Sequence, residues 1–442
     1  MAEVTTRLIV FSHLAQGWAP CGQLDLTESG ATLMTSTFAY GLKYLKRKDA
    51  VEIDPVSLGT GDSNLVTGKR LFPVNRLTSF GGVRDAAPDA WGRRVIESKL
   101  KAPASSLAES VYLLHAGSER VGALDVRRAL NDLPTAGVTG VQSLSHLIEA
   151  AERIEAGVPV PAHLDAIFAD GSALGGARPK ASVRDEEGAL WLAKFPSRGD
   201  SINVPALECA TLKLGAHIGL SVPDVVTRNI GDRQIMMIRR FDRFWTNPES
   251  GLVSASPGEG RIERRMPFVS GLTLLACDEM ESHAKSYPEI ADAIRRYCHP
   301  SVVRQNNTEL FQRMIFNIFV SNDDDHLRNH GFLWDAQIGG WRLSPLYDVM
   351  PRASMAEERR LHLGVGPQGR LATLDNALEA HERFTLSRRD ACRLIDRVWR
   401  DVREWRVHFE AFGVGADDID RIAPAFRHID AISSAALRKA LV

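Results

Sequence analysis

The sequence predicts an α+β chain, with an N-terminal α/β part followed by a mainly α-helical C-terminal part that meets it near Phe244. Two observations carry this prediction. Short apolar and alternating runs separated by turn residues dominate the first half, and apolar residues at helical spacing dominate the second. A third bears on size: 442 residues exceed one ordinary domain, and 44% hydrophobic residues supply enough apolar material for more than one core.

In order, Thr6–Ser12 and Gln23–Leu26 read as strands, and 31–45 reads as a longer element. Apolar positions at helical spacing follow Pro88 from Asp89 to Ile96. Ser106 and Glu109 stand at capping-box separation and predict a helix start. Asn131–Gly140, rich in Pro, Gly and Thr, reads as a connection, and Gln142–Glu155 as a helix. Strand-and-turn pattern fills Phe168–Pro196, including the apolar run Gly188–Phe195 with its single cation at Lys194. Pro205–Ile218 is a predicted helix closed by Gly219 in the left-handed conformation, followed by strands at Ser221–Val226 and Arg233–Arg239. Beyond Phe244 the expectation is helical, with Asn307–Val320, Arg388–Phe409 and Ala416–Leu441, apart from a strand pair near Gly331–Leu343. The segments expected are therefore 1–130, 131–243 and 244–442. There is no internal repeat and no low-complexity tract.

Composition restricts the function classes. The 54 basic and 55 acidic residues give a net charge of −1, which offers no general attraction to nucleic acid or to an anionic membrane. The five cysteines are scattered without a CxxC pair, which argues against a zinc site or disulfide framework and suits a reducing cytosol. The N-terminal stretch lacks a basic leader followed by a long apolar run. No window approaches about 18 continuous apolar residues, so a cytoplasmic protein without a membrane span is expected.

The sharpest chemical signal is Asn322-Asp323-Asp324-Asp325-His326-Leu327-Arg328-Asn329. In phosphoryl transfer an Asp orients the acceptor hydroxyl, and an Asn five residues later helps hold Mg²⁺. Asp324 and Asn329 have that separation. Asp348, following a short hairpin pattern, is the candidate for the second metal carboxylate, and hard oxygen donors suit Mg²⁺. The plainer alternative is an Asp-rich turn, with His326 as a hydrogen-bonding support. The joint spacing with Asn329 and Asp348 favours a metal–phosphate site.

A second constellation is Gly171-Ser172-Ala173-Leu174-Gly175-Gly176-Ala177-Arg178-Pro179-Lys180, whose small residues permit close backbone approach to phosphate. It lacks the Walker spacing, and alone it would be only a glycine-rich turn. Lys194 near the end of an apolar strand needs an anion, either a nucleotide phosphate or Glu208 on the next helix. Arg239-Arg240-Phe241-Asp242-Arg243 closes the α/β part, either as a connection that receives adenine or as a salt-bridge cluster at a joint.

Taken together, these residues resemble the HipA family of toxin-type serine/threonine kinases. The resemblance covers most of the chain: the Arg84–Leu100 region, Val121–Leu124, SALGGARPK, LAKFP, the helix of Glu208 ending in Gly219-Leu220-Ser221-Val222-Pro223, RRFDRFW, DDHLRNHGF and RLSPLYDVM. It implies a two-lobed protein-kinase-like fold using ATP and Mg²⁺. Asp324 then corresponds to the catalytic base, Asn329 and Asp348 to the metal ligands, and Lys194 to the ATP-phosphate lysine steadied by Glu208. Gly175, Gly176, Ala177 and Lys180 belong to the phosphate loop, and Arg239 and Phe241 to the adenine hinge. Tyr347 borders the nucleotide, and His326 supports the catalytic loop.

One departure stands out. Members of this family can autophosphorylate a serine just before the glycine pair, and here that position is Ala173, with Ser172 one residue early. The resemblance also implies a protein substrate such as an aminoacyl-tRNA synthetase or another translation factor, with growth arrest as the outcome. It further implies a small helix-turn-helix antitoxin, and DNA contact only indirectly through that complex. A small-molecule kinase and a catalytically silent scaffold are the alternatives.

Overall fold

The computed structural model describes residues 2–135, 137–172 and 176–441. The chain divides into two compact units, Met1–Gly199 with Asn229–Val269, and Asp200–Arg228 with Ser270–Val442.

The first unit opens with an antiparallel sheet in the order Thr32–Tyr40, Gly17–Ser29, Val4–Leu14, Leu124–Arg127. Its two long strands pair Leu8 with Leu24 and Thr6 with Leu26. They exceed the predicted strands at both ends, because polar positions are held by cross-strand bonds such as Thr5 to Thr27 at 3.1 Å. The element expected over 31–45 is two: the strand ends at Tyr40, and Leu42–Leu45 turns into a short helix after Gly41. Leu8, Val10, Leu24, Phe38 and Phe80 form the core beneath this sheet. At Gly22 a β-carbon would fall 2.1 Å from Cζ of Phe38, so only glycine fits there.

A second sheet of this unit carries Lys180–Arg184, Leu190–Lys194 and Arg233–Arg239 side by side. Leu144–Glu155 lays Leu147, Ile148 and Ala151 into the same apolar cluster as Val183, Ala193, Ile235 and Met237. The helix after Pro88 runs Ala90–Leu100. The helix start expected at Ser106 falls instead at Glu109, after Ala108. Ser106 turns back to the Pro103 carbonyl, and Glu109 takes a two-pronged bond from Arg93, which outcompetes a capping box. Strand structure also continues past Phe244, with Arg243–Thr246 between Val253–Ser254 and Ile262–Arg265. Charge hid the last of these: Glu263 pairs with Arg184 at 2.6 Å and Arg265 with Glu119 at 2.9 Å.

In the second unit, Val204–His217 begins at Asn203, whose side chain accepts from the Ala206 amide, and is closed by Gly219 at φ +89°. Val303–Val320 is buried almost all round and packs against Tyr287–Tyr297 and Arg388–Val402. The long C-terminal helices expected from periodicity are broken. Arg388–Val402 is followed by a separate Trp405–Ala411, and beyond Ala416–Ile422 come Ile429–Ile432 and Ala435–Ala440. Pro424 lacks the N–H needed to continue, and Ser434 caps the last piece. Gly331–Asp335 and Gly340–Leu343 form the expected hairpin. The strand expected at Ser221–Val226 lies later, at Val225–Ile230, beyond Pro223. Among the described residues no helix is long and apolar enough to cross a membrane.

Candidate active site

In the second unit, Val303–Val320 ends at Ser321 in the left-handed conformation, and the acidic loop leaves from there. The three aspartates then part company. Asp323 and Asp324 face solvent, whereas Asp325 is 1% exposed. Its Oδ2 accepts from Tyr287 Oη at 2.5 Å, Asn317 Nδ2 at 2.8 Å and His330 Nε2 at 3.0 Å. Burial pushes this carboxyl up, but the His330 ring and the bonds from His330 and Tyr287 outweigh it and hold it below the usual carboxylate range. Tyr287, buried beside that carboxylate, is pushed well above the ordinary phenol range and stays a donor. Asp325 is therefore the anchor that fixes the loop from behind, and Asp324 is left at its tip.

Asn329 is buried, and its Nδ2 donates to the Asp324 carbonyl at 3.2 Å. That bond assigns the amide nitrogen to the loop and leaves the hard Oδ1 as the donor available to a cation. His326 packs edge-on against His362 at 5.9 Å, with its Nδ1 buried and lacking a hydrogen-bond partner among the described residues. Burial, followed by the His326 ring, holds His362 below the ordinary imidazole range.

The segment after the hairpin returns to this loop. Tyr347 Oη donates to the Arg328 carbonyl at 2.6 Å, and Asp348 beside it is exposed with φ +60°. This bond ties the segment that carries Asp348 to the one that carries Asn329, the two predicted metal ligands. An amide oxygen and a carboxylate fit Mg²⁺, which takes one or two protein oxygens beside phosphate and water. Among the described residues no cluster of three or more His, Cys, Asp or Glu offers a denser metal site. Farther along, Arg352 donates to Asp324 Oδ2 at 2.9 Å and pairs with Asp323 at 3.2 Å. Glu208 lies buried on Val204–His217 in this same unit.

Lys194, Lys180, Gly176, Ala177, Arg239 and Phe241 belong to the first unit. Lys180 and Lys194 are direct cross-strand partners, so two buried ammonium-bearing side chains share one face of the sheet. At Gly176, φ is +76° and a β-carbon would fall 2.5 Å from Lys180 Nζ, which places this cation against the glycine turn. The Gly176 amide donates to Asp89 Oδ2 at 2.9 Å, its carbonyl accepts from the Trp91 amide at 2.9 Å, and Trp91 Nε1 donates to the Lys180 carbonyl at 2.8 Å. Ala177 is exposed; Ala173 and Gly175 lie outside the described residues. Ser172 is 1% exposed and its hydroxyl donates to the Ala116 carbonyl at 3.2 Å.

In the Arg239–Arg243 run, the side chains make a buried charge cluster. Asp242 pairs with Arg240 at 2.6 Å and Arg243 at 2.7 Å, and accepts the Gly122 amide at 2.7 Å. Burial raises the Asp242 carboxyl, but Arg240 and Arg243 outweigh it and hold it far below its ordinary range. Arg239 reaches the Ala255 carbonyl and the Ser256 hydroxyl, and Phe241 is half-buried. The salt-bridge alternative therefore describes what these side chains do.

Fold and loop together point to one class, and comparison with known proteins identifies it. The family model of the HipA-like C-terminal domain matches residues 172–406, and the chain belongs to that family. The chain is similar over 98% of its length to 96% of a chain from the Shewanella oneidensis MR-1 toxin–antitoxin complex of HipA, HipB and operator DNA, with TM-score 0.61 and 17% identity. The fold expected from the sequence is thus the one found. The chain is also 25% identical over 219 residues to "Putative kinase Y4mE" of Sinorhizobium fredii (strain NBRC 101917 / NGR234). That alignment covers 46% of each, so the chain spans about half the length of the curated relative it matches. A kinase of Helicobacter pylori, CtkA, matches at TM-score 0.36 and 15% identity over 59% of this chain and 93% of that one.

Sequence reasoning missed Arg352, Asp89 and Trp91, and it underrated Asp325. Only Asp325 had a signal, the triplet of aspartates itself. The others act across long sequence separations with no motif to mark them.

Proposed function

We propose that this protein is an ATP- and Mg²⁺-dependent serine/threonine protein kinase acting as the toxin of a toxin–antitoxin pair. The observation that carries the reading is the acidic loop, anchored by buried Asp325, with Asp324 presented at its tip and the Asn329 amide oriented by the Asp324 carbonyl. In this mechanism Asp324 accepts the proton of the acceptor hydroxyl as that oxygen attacks the γ-phosphorus of ATP, and ADP leaves. Lys180 and Lys194 offer positive charge to the phosphates, and the hinge backbone at Arg239–Phe241 receives adenine. Asn329 and Asp348 would hold Mg²⁺, which when bound neutralises charge on the phosphate oxygens. Buried Ser172 is a structural hydroxyl, so self-phosphorylation next to the glycine pair is not part of the proposal. The solved complex of HipA with HipB and operator DNA supports an antitoxin as partner. A protein substrate such as an aminoacyl-tRNA synthetase or another translation factor enters this reading through the family resemblance alone.

The test is phosphoproteomics after brief expression of the active protein beside Asp324→Ala, joined to an assay with labelled ATP and a small-alcohol panel. Phosphoserine or phosphothreonine on cellular protein only with the active form is the expected result. Phosphate appearing on a small alcohol and never on protein would make it a small-molecule kinase. No transfer to either would leave a binding scaffold.

A further inference from the structure

Asp324 sits at the tip of its loop with a side chain 58% exposed, and an exposed carboxylate rotates freely unless something holds it. A general base must meet its proton within hydrogen-bond reach, so a freely turning one is poorly suited to the task. The side-chain partner of Asp324 among the described residues is Arg352. One guanidinium nitrogen donates to Asp324 Oδ2 at 2.9 Å while Nε pairs with Asp323 Oδ1 at 3.2 Å. A planar guanidinium bridging two consecutive carboxylates fixes their direction as well as their charge.

The arginine is itself delivered from a fixed backbone. The Arg352 amide donates to the Ser321 carbonyl at 3.2 Å, at the left-handed residue from which the acidic loop departs. Arg359 then holds the far side of this segment through the Ser321 hydroxyl at 2.6 Å, the Ser354 carbonyl at 2.5 Å and the Pro424 carbonyl at 2.7 Å. Base and arginine thus share one anchor, the end of the helix Val303–Val320. An ion pair this exposed contributes little to stability. Its consequence is directional: Oδ2 is engaged and Oδ1 is left to face an incoming hydroxyl.

We propose that Arg352 is a positioning residue, bridging Asp323 and Asp324 so that the Asp324 carboxylate is presented to the acceptor. This rests on the reading of Asp324 as the base. The experiment measures kcat for transfer to the unphosphorylated form of a protein that the phosphoproteomics identifies as substrate and, separately, Mg²⁺-ATP affinity by calorimetry, for wild type, Arg352→Ala and Arg352→Lys. Arg352→Ala should lower kcat about 10- to 100-fold, the scale of a misplaced catalytic group, with Mg²⁺-ATP affinity within about twofold of wild type. Arg352→Lys should recover part of the loss, because a single ammonium meets one carboxylate without setting a plane. A kcat within about twofold of wild type in Arg352→Ala overturns the proposal, and so does a parallel loss of kcat, ATP affinity and melting temperature, which would mark a merely structural contact. Wild-type protein that binds Mg²⁺-ATP but transfers phosphate no faster than Asp324→Ala overturns the kinase reading, and this inference with it.

Discussion

The Tyr347 hydroxyl donates to the Arg328 carbonyl at 2.6 Å, so the residue before Asp348 is tied to the residue before Asn329. The two proposed metal ligands come from chain segments that this bond joins. Asp348 holds φ +60°, a conformation costing a non-glycine residue about 1 kcal/mol, which neighbouring contacts must offset. Tyr347→Phe removes the bond and keeps the ring. We expect Mg²⁺-dependent nucleotide affinity to fall about 3- to 10-fold, the worth of one hydrogen bond, with little change in melting temperature. Calorimetry with and without Mg²⁺ checks it: a loss equal in both arms would place Tyr347 against the nucleotide alone.

Asp324 and Asp325 should separate function from folding. Asp325→Ala leaves Tyr287, Asn317 and His330 facing a buried gap, and a cost of roughly 3–5 kcal/mol is expected. Asp324→Ala removes an exposed carboxylate and should change stability by less than about 1 kcal/mol while abolishing transfer. Urea unfolding of both variants decides it, and equal destabilisation would refute the division of labour. Because the folded carboxyl of Asp325 lies below its ordinary value, the stability it contributes is present above about pH 4 and is lost as pH falls through the folded value.

How far these features were legible differs by residue. Asp324 and Asn329 stand in one loop, so their spacing in sequence is also their spacing in space. Gly219, Arg233–Arg239 and the helix of Glu208 were legible because local pattern and tertiary burial agree there. Arg352 was not, since nothing in its neighbourhood shows that it returns to a loop 28 residues earlier. The strand Ile262–Arg265 was hidden because its charges are satisfied by Arg184 and Glu119, contacts no local window contains. The break after Val402 is likewise a packing outcome that periodicity does not register.

Asp89 occupies the N-cap of Ala90–Leu100 yet makes no capping bond to its own helix; its carboxylate goes to the Gly176 amide. With the Trp91 amide on the Gly176 carbonyl, the end of the glycine turn is gripped from both sides. Asp89→Ala should release one grip and raise amide hydrogen exchange across 176–180 about 10-fold, leaving exchange in the strand Arg233–Arg239 unchanged. Exchange unchanged at Gly176 would show that the Asp89 carboxylate does not hold the turn.

His13 offers a pH test of the first unit. Burial, then the charges of Arg265, Arg243 and Arg264, lower its imidazole to about 4, and its Nδ1 is buried with no hydrogen-bond partner among the described residues. Its neighbour Trp18 packs edge-on at 5.1 Å and cannot accept a proton. Folding therefore favours the neutral ring. Between pH about 6.5 and about 4 the unfolded chain binds a proton that the folded chain refuses, so stability falls as pH drops through that window. The full effect is on the order of 3 kcal/mol, reached near the lower end. Burial also holds His115, His362 and His408 below the ordinary range, so the informative quantity is the difference between His13→Gln and wild type. Urea midpoints at pH 7.5, 5.5 and 4.5 should show the variant losing ground at high pH and overtaking, or closing on, wild type at low pH. A difference constant across the three pH values would mean that His13 takes up its proton in the folded protein as readily as in the unfolded one.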